Sequence, residues 1–279
     1  MNIIFSKIIA QMLKTNSLFF IITTLVLLLS CKNDNVGSVP KLPNESNYLH
    51  LSHTRTDSNP KMDSIAELID FSKYDMLWLG GDLANLTSKD DETMMHADSI
   101  YSLGDLNTLW TLGNHDYTDV DKVIKYTHRP LYYACHKNGI TFIVLDTQDS
   151  LSSVLDGQLE LFNNVMDTIK ESSHLIILHH KLIWMYGNPE LEPQIPSISN
   201  VGIGDCSYCI NPNNFYPDLY PELVRVHNLG IDVICIGGDM GIFAKEFEYQ
   251  TKDGIHFLAS GIYTGETGNK ALVFHHDLV

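Results

Sequence analysis

The sequence predicts an α/β fold of two packed mixed β-sheets flanked by helices, and three observations predict it. Apolar runs of strand length alternate with amphipathic helical stretches through much of the chain. Asn138-Gly139 separates two further apolar runs, and this dipeptide suits a tight hairpin, so antiparallel pairing enters the sheet. Parallel units together with hairpins imply two layers of sheet with helices outside. With 279 residues, 44% of them hydrophobic, the chain is long enough for one large domain with a real core.

The N-terminus is a separate object. Lys7 and Lys14 precede an uncharged apolar stretch, 18–29, which is short for a membrane span and shaped like a secretion signal. Its end, Leu28-Leu29-Ser30-Cys31, resembles the lipobox of bacterial lipoproteins, where cleavage leaves the cysteine as a new N-terminus for acylation. Residues 1–30 are expected to be a signal peptide and 31–46 a flexible tether with Gly37, Pro40 and Pro43. An anchor helix with an incidental cysteine is the alternative. The expected result is an exported domain held at the bacterial cell envelope by lipid on Cys31. Removing Lys7 and Lys14 leaves 16 basic against 34 acidic residues, a net charge of −18. That balance argues against nucleic-acid backbones and anionic membrane surfaces as partners.

The domain itself is read from 47 to 279. Residues 48–52 form a strand, 62–71 a helix with Met62, Ile65, Leu68 and Ile69 on one face, and 76–79 a second strand ending at Asp82. A helix capped by Ser88 runs to Leu103, and the strand 108–112 delivers Asn114. The hairpin strands 131–136 and 140–146 follow, then a helix over 158–170 whose stripe is Leu159, Phe162, Val165, Met166 and Ile169. The strand 175–178 ends at His179-His180. Residues 184–216 lack periodicity and read as a loop covering a site. A helix over 221–229, the strand 231–236, the strands 243–250 and 255–260, and a last strand over 271–275 complete the chain. Cys135 and Cys235 fall in apolar runs as small buried residues, whereas Cys206 and Cys209 share a loop, where an exported protein suits a local disulfide.

Polar clusters lie just beyond strand ends, where a sheet turns its side chains into a shared crevice. In order they are Ser52-His53-Thr54-Arg55, Gly81-Asp82, Gly113-Asn114-His115-Asp116, His179-His180 and Gly238-Asp239-Met240-Gly241. Divalent cations need such converging oxygen and nitrogen donors. A lone strand-end Asp or Asn is an ordinary turn former, and Asp116 reads as the cap of its own turn. His96, His128, His174, His227 and His256 have no motif context and read as surface or core histidines.

Over about residues 47–261 these clusters resemble the five motifs of the calcineurin-like metallophosphoesterases, a family that includes purple acid phosphatases. The resemblance implies a centre in which the second-motif Asp, here Asp82, bridges two cations. It also implies Asn114 as a ligand and His115 beside the substrate phosphate and leaving group. Two motifs depart from the pattern. The family's Asp-x-His is His53-Thr54-Arg55 here, and its Gly-His-x-His is Gly238-Asp239-Met240-Gly241. One site then keeps Asp82 and His53, because Gly241 offers nothing and Arg55 stays protonated. The other keeps Asp82, Asn114, a fourth-motif His and Asp239. Strand alternation leaves His179 and His180 undecided; the family's pattern favours His179 as ligand and leaves His180 to the substrate.

The implied cofactor is a divalent ion (Mn, Fe, Zn or Mg), one rather than two, with Mn favoured by the oxygen-rich set. Arg55 would replace the missing charge on a phosphate oxygen. Asp57 is the carboxylate that would restore a second ion. The implied function is metal-dependent hydrolysis of phosphomonoesters or phosphodiesters. The alternative is a fold that has lost catalysis and binds a partner at the envelope through 184–216.

Overall fold

The structure, a computed structural model, describes residues 4–9, 45–200 and 211–277. Two mixed sheets pack face to face with helices on both outer faces, as the sequence predicts. The first sheet takes the order β1-β11-β2-β3-β4, from Ile4–Ile9, Lys270–Asp277, Glu45–Leu51, Met76–Leu79 and Thr108–Trp110. The second runs β5-β6-β7-β8-β10-β9, from Tyr133–Lys137, Ile140–Val144, His174–His179, Asp232–Gly237, His256–Ser260 and Glu246–Gln250. Within them β2, β3 and β4 are parallel, as are β6, β7, β8 and β10; the antiparallel partners sit toward the edges.

Alternation along each strand divides the core into three layers. Tyr48, Met76, Trp78, Phe142, Ile176, Leu178 and Phe274 meet between the sheets, with Tyr48 stacked on Trp78 at 5.2 Å. Leu49, Leu51, Leu77 and Leu79 face outward onto Met94, Ala97 and Tyr101 of α2 (Asp91–Tyr101) and Val123 of α3 (Val120–Thr127). On the other side Leu175, Ile177, Val233 and Cys235 meet Phe162 and Met166 of α4 (Asp156–Thr168) and Leu223 and Val226 of α6 (Tyr220–His227). Strands buried on both faces therefore read as unbroken apolar runs.

Several boundaries differ from expectation for local reasons. The first helix, α1, is only Ser64–Leu68: Asp63 caps it by accepting Ile65 N at 2.9 Å, and Ile69 is already extended. Helix α2 starts from Asp90, which accepts Thr93 N at 2.8 Å; Ser88, expected to be the cap, instead donates to Asp116 O at 2.7 Å. The Asn138-Gly139 turn is as predicted, with φ of 52° and 74°. The segment after β7 is a packed cover rather than a loose loop, because Trp184, Met185, Leu191, Ile195 and Ile198 are buried in the outer core, the last two in the short α5 (Ile195–Ile198). Residues 201–210, with Cys206 and Cys209, lie outside the described residues, as do 10–44 with Cys31. Strand β1 pairs antiparallel with β11 and falls within the span read as a signal peptide. Among the described residues no helix is long and apolar enough to cross a membrane.

Candidate metal centre

The C-terminal ends of β2, β3, β4, β7 and β8 deliver their polar residues to one place. The chain reaches it through close backbone approaches. A Cβ on Gly113 would lie 2.0 Å from Asp82 Oδ1 and 2.7 Å from His180 Cε1, so only glycine fits between them. Asp82 and His53 themselves adopt left-handed backbone, with φ of 57° and 55°, a conformation that the surrounding contacts must enforce.

Asp116 is one of those contacts. Its fully buried carboxylate accepts Asp82 N at 2.7 Å, Leu83 N at 3.1 Å, Gly113 N at 2.8 Å and the Thr87 hydroxyl. It does cap its own turn through Gly113, but it also ties the second cluster to the third. Burial raises its pKa, and the nearby Asp82 charge adds to that.

Asp82 lies at the centre of the site. Its Oδ1 is 3.6 Å from His180 Nε2 and accepts His115 N at 3.0 Å; its Oδ2 is 3.7 Å from His53 Nε2 and 3.9 Å from Arg55 Nε. His180 Nε2 is in turn 3.9 Å from Asp239 Oδ1. Burial opposes ionisation of Asp82, but the imidazoles of His180, His53 and His115 outweigh it and hold the carboxyl below its usual range. The same balance raises His180: burial pulls it down, and Asp82 followed by Asp239 more than reverse this. For His53 burial prevails and its pKa is lowered, despite Asp82.

The ring orientations are set by backbone carbonyls. His53 Nδ1 meets Ile262 O at 3.0 Å and His180 Nδ1 meets Gly80 O at 2.6 Å, which turns each Nε2 toward Asp82. This corrects the choice of His179 as the inward histidine. Along β7, Leu175 and Ile177 face the outer layer, so His179 two residues later faces outward too. Its ring meets Trp184 at 6.4 Å, its Nδ1 pairs with Lys181 O at 2.7 Å, and burial lowers its pKa to about 4. His180 takes the inward position.

The other expected residues are present with distinct surroundings. His115 holds its Nδ1 against Asn85 O, so Nε2 is the ring nitrogen outside that contact. Arg55 is mostly buried, and its Nε has no hydrogen-bond acceptor. Asp57 is exposed beyond Arg55. Sequence reasoning missed Asn200, whose Nδ2 donates to Asp239 Oδ1 at 3.2 Å while its Oδ1 accepts Ile242 N at 3.0 Å. Nothing in its local sequence signals this role, because both partners lie about forty residues away.

Among the described residues no three His, Cys, Asp or Glu side chains already close around a common point. The donor set nevertheless fits one divalent ion. His180 Nε2 and Asn114 Oδ1, like His179 Nε2 on the outer side of β7, are buried without a partner, a costly state that a cation within reach would relieve. Ligands about 2.1 Å from one metal stand roughly 3–4 Å from each other, the range that separates His180 Nε2 from Asp82 and from Asp239. The residues that would hold the ion are Asp82, Asn114, His180 and Asp239. Among the described residues His53 is the further donor on the other side of Asp82, and Arg55 stands there too.

No protein-family model and no curated protein matches the sequence. Among solved structures, the purple acid phosphatase isolated from yellow lupin (Lupinus luteus) seeds is similar at 12% identity with a TM-score of 0.47, over 81% of this chain and 47% of that one. A dimetal phosphatase from Danio rerio is similar at 9% identity with a TM-score of 0.47, over 82% of this chain and 91% of that one. The chain thus spans about half the length of the lupin protein.

Proposed function

We propose that this chain is a metal-dependent phosphoester hydrolase of the metallophosphoesterase type, working with one divalent ion and tethered to the bacterial envelope by lipid on Cys31. The observation that carries the reading is the convergence of Asp82, His180 and Asp239 at buried strand ends. A bound divalent ion supplies Lewis acidity and activates water for attack on phosphorus. The protein groups do the rest. Arg55 places a guanidinium on a non-bridging phosphate oxygen, taking over charge that a second ion would provide. His115, its Nδ1 held by Asn85 O, presents Nε2 to the leaving oxygen and delivers a proton there. Asp239 is held in place by Asn200.

The test is hydrolysis of a panel of phosphomonoesters and diesters with added Mn²⁺, beside Asp82→Asn. Turnover abolished in the variant supports the reading. Equal turnover in both, or none in either, refutes it. A second reading has its own observation: Arg55 Nε stands 3.9 Å from the Asp82 carboxylate, where it offsets charge that an ion would otherwise balance. On that reading the chain binds an anionic partner at the envelope without turnover.

A further inference from the structure

Asn200 stands at the end of the packed cover that follows β7, and it grips the last polar cluster at three points. Its Nδ2 donates to Asp239 Oδ1 at 3.2 Å, its backbone N donates to Asp239 O at 3.4 Å, and its Oδ1 accepts Ile242 N at 3.0 Å. One buried amide therefore closes the turn from Asp239 to Ile242. The direction of that amide is fixed by its partners, because the Ile242 N–H can meet only the oxygen end. The nitrogen end then faces Asp239 Oδ1, the same oxygen that lies 3.9 Å from His180 Nε2. The cover is what brings Asn200 there. Trp184, Leu191, Ile195 and Ile198 are buried in the outer core, and Ser199 forms an antiparallel bridge with Met240, the residue after Asp239. Unseating the cover would withdraw the bridge and the amide together.

We propose that Asn200 is a positioning residue through which the cover, 184–200, sets the affinity of the site for its ion. The ion binds tightly only while the cover is seated, and by reciprocity a bound ion holds the cover down. This rests on the metal reading above. The Asn200 amide favours the ionised form of Asp239 and fixes its side-chain torsions, so the entropy of ordering that carboxylate is lost on folding and not on ion binding. The other two converging groups are held from the strand-end turns, Asp82 by His115 N at 3.0 Å and His180 by Gly80 O at 2.6 Å. Asp239 is held from the cover, a separate stretch of chain that packs on the opposite side of β8 from the inter-sheet core. Its position therefore reports whether that stretch is in place.

The test is calorimetric binding of Mn²⁺ to the full chain, wild type beside Asn200→Ala and Asn200→Asp, with melting temperatures and amide hydrogen exchange measured with and without the ion. Asn200→Ala is expected to weaken Mn²⁺ binding about tenfold or more, the usual cost of freeing a ligand from its hydrogen-bond partner, and to shrink the rise in melting temperature that Mn²⁺ produces. Asn200→Asp keeps an acceptor for Ile242 N but sets a second carboxylate against Asp239. Its metal-free form should melt lower, and Mn²⁺ should raise its melting temperature by more than it raises that of wild type. A bracing role alone would lower the melting temperature equally with and without the ion and leave Mn²⁺ affinity at the wild-type value. In wild type Mn²⁺ should also slow exchange across 184–200, an effect absent in Asn200→Ala. Mn²⁺ affinity equal in Asn200→Ala and wild type, or exchange in the cover indifferent to Mn²⁺, overturns the coupling while the metal reading stands. A wild-type chain that binds no Mn²⁺ sinks the metal reading and the coupling with it.

Discussion

Replacing Asp116 by Asn is expected to destabilise the protein by about 2–4 kcal/mol, although Asp116 touches no substrate. One carboxylate oxygen accepts Asp82 N and Gly113 N; the other accepts Leu83 N and the Thr87 hydroxyl. An amide keeps one accepting oxygen and turns two N–H donors toward donors already there. Two of four buried hydrogen bonds are lost, each worth ~1.5–3 kcal/mol when the acceptor is charged. Part of the loss is offset, because the neutral amide escapes the burial and Asp82 repulsion that raise the Asp116 pKa. Asp116→Ala leaves three backbone N–H groups without an acceptor and should cost roughly 3–6 kcal/mol, a large part of the stability of a typical domain. Thr87→Val, which removes only the hydroxyl, should cost about 1 kcal/mol. Urea unfolding followed by circular dichroism ranks the three. An Asp116→Asn variant within 1 kcal/mol of wild type, or no worse than Thr87→Val, would refute the keystone role.

Three further outcomes follow from the same contacts. His180→Ala should abolish Mn²⁺ binding measured by elemental mass spectrometry, whereas His179→Ala should retain the ion; the opposite pattern would restore His179 as the ligand. His174, whose pKa burial lowers to about 4, sits 5.6 Å edge-to-face from His276, with Ser173 Oγ bridging them at 2.8 and 3.3 Å and Asp232 at 3.6 Å opposing the shift. A histidine kept neutral in the fold contributes fully above pH 6.5 and loses its contribution as pH falls toward 4, because the unfolded chain takes up the proton first. The loss attributable to His174 is ~3 kcal/mol at most and about half that with solvent screening, so unfolding curves for His174→Gln should flatten between pH 6.5 and 4.5; parallel curves would exclude the linkage. Cys31→Ser should move the expressed protein from the membrane fraction to the soluble one, and an unchanged distribution would remove the lipid anchor.

The site was legible in the sequence wherever a residue's place follows from a strand end. Asp82, Asn114, His115 and Asp239 each lie one to three residues past an apolar run, and period-two packing carries them to one edge of the sandwich. His180 was half legible. The adjacent pair places one histidine inward, but only the layer assignment of Ile177 and Leu178 says which, and that is a tertiary fact. Ser88 was misread for a related reason. A serine before a helical stretch competes for the cap with any neighbouring acid, and here Asp90 wins while Ser88 reaches Asp116. Asn200 was illegible, since its contacts depend on partners about forty residues away.

The first and last clusters are coupled through the backbone, where Gly241 meets Ile262 and Ile262 O meets His53. Gly241 has φ of 128°, a region that side chains rarely adopt, and its Cα lies against Ile262 O, the carbonyl that orients His53. A histidine restored at 241 would have to displace that carbonyl, free His53 and break the Lys245 contact with Gly241 O. Gly241, Ile262 and His53 therefore hold one another in place on the side of the crevice where Arg55 approaches Asp82.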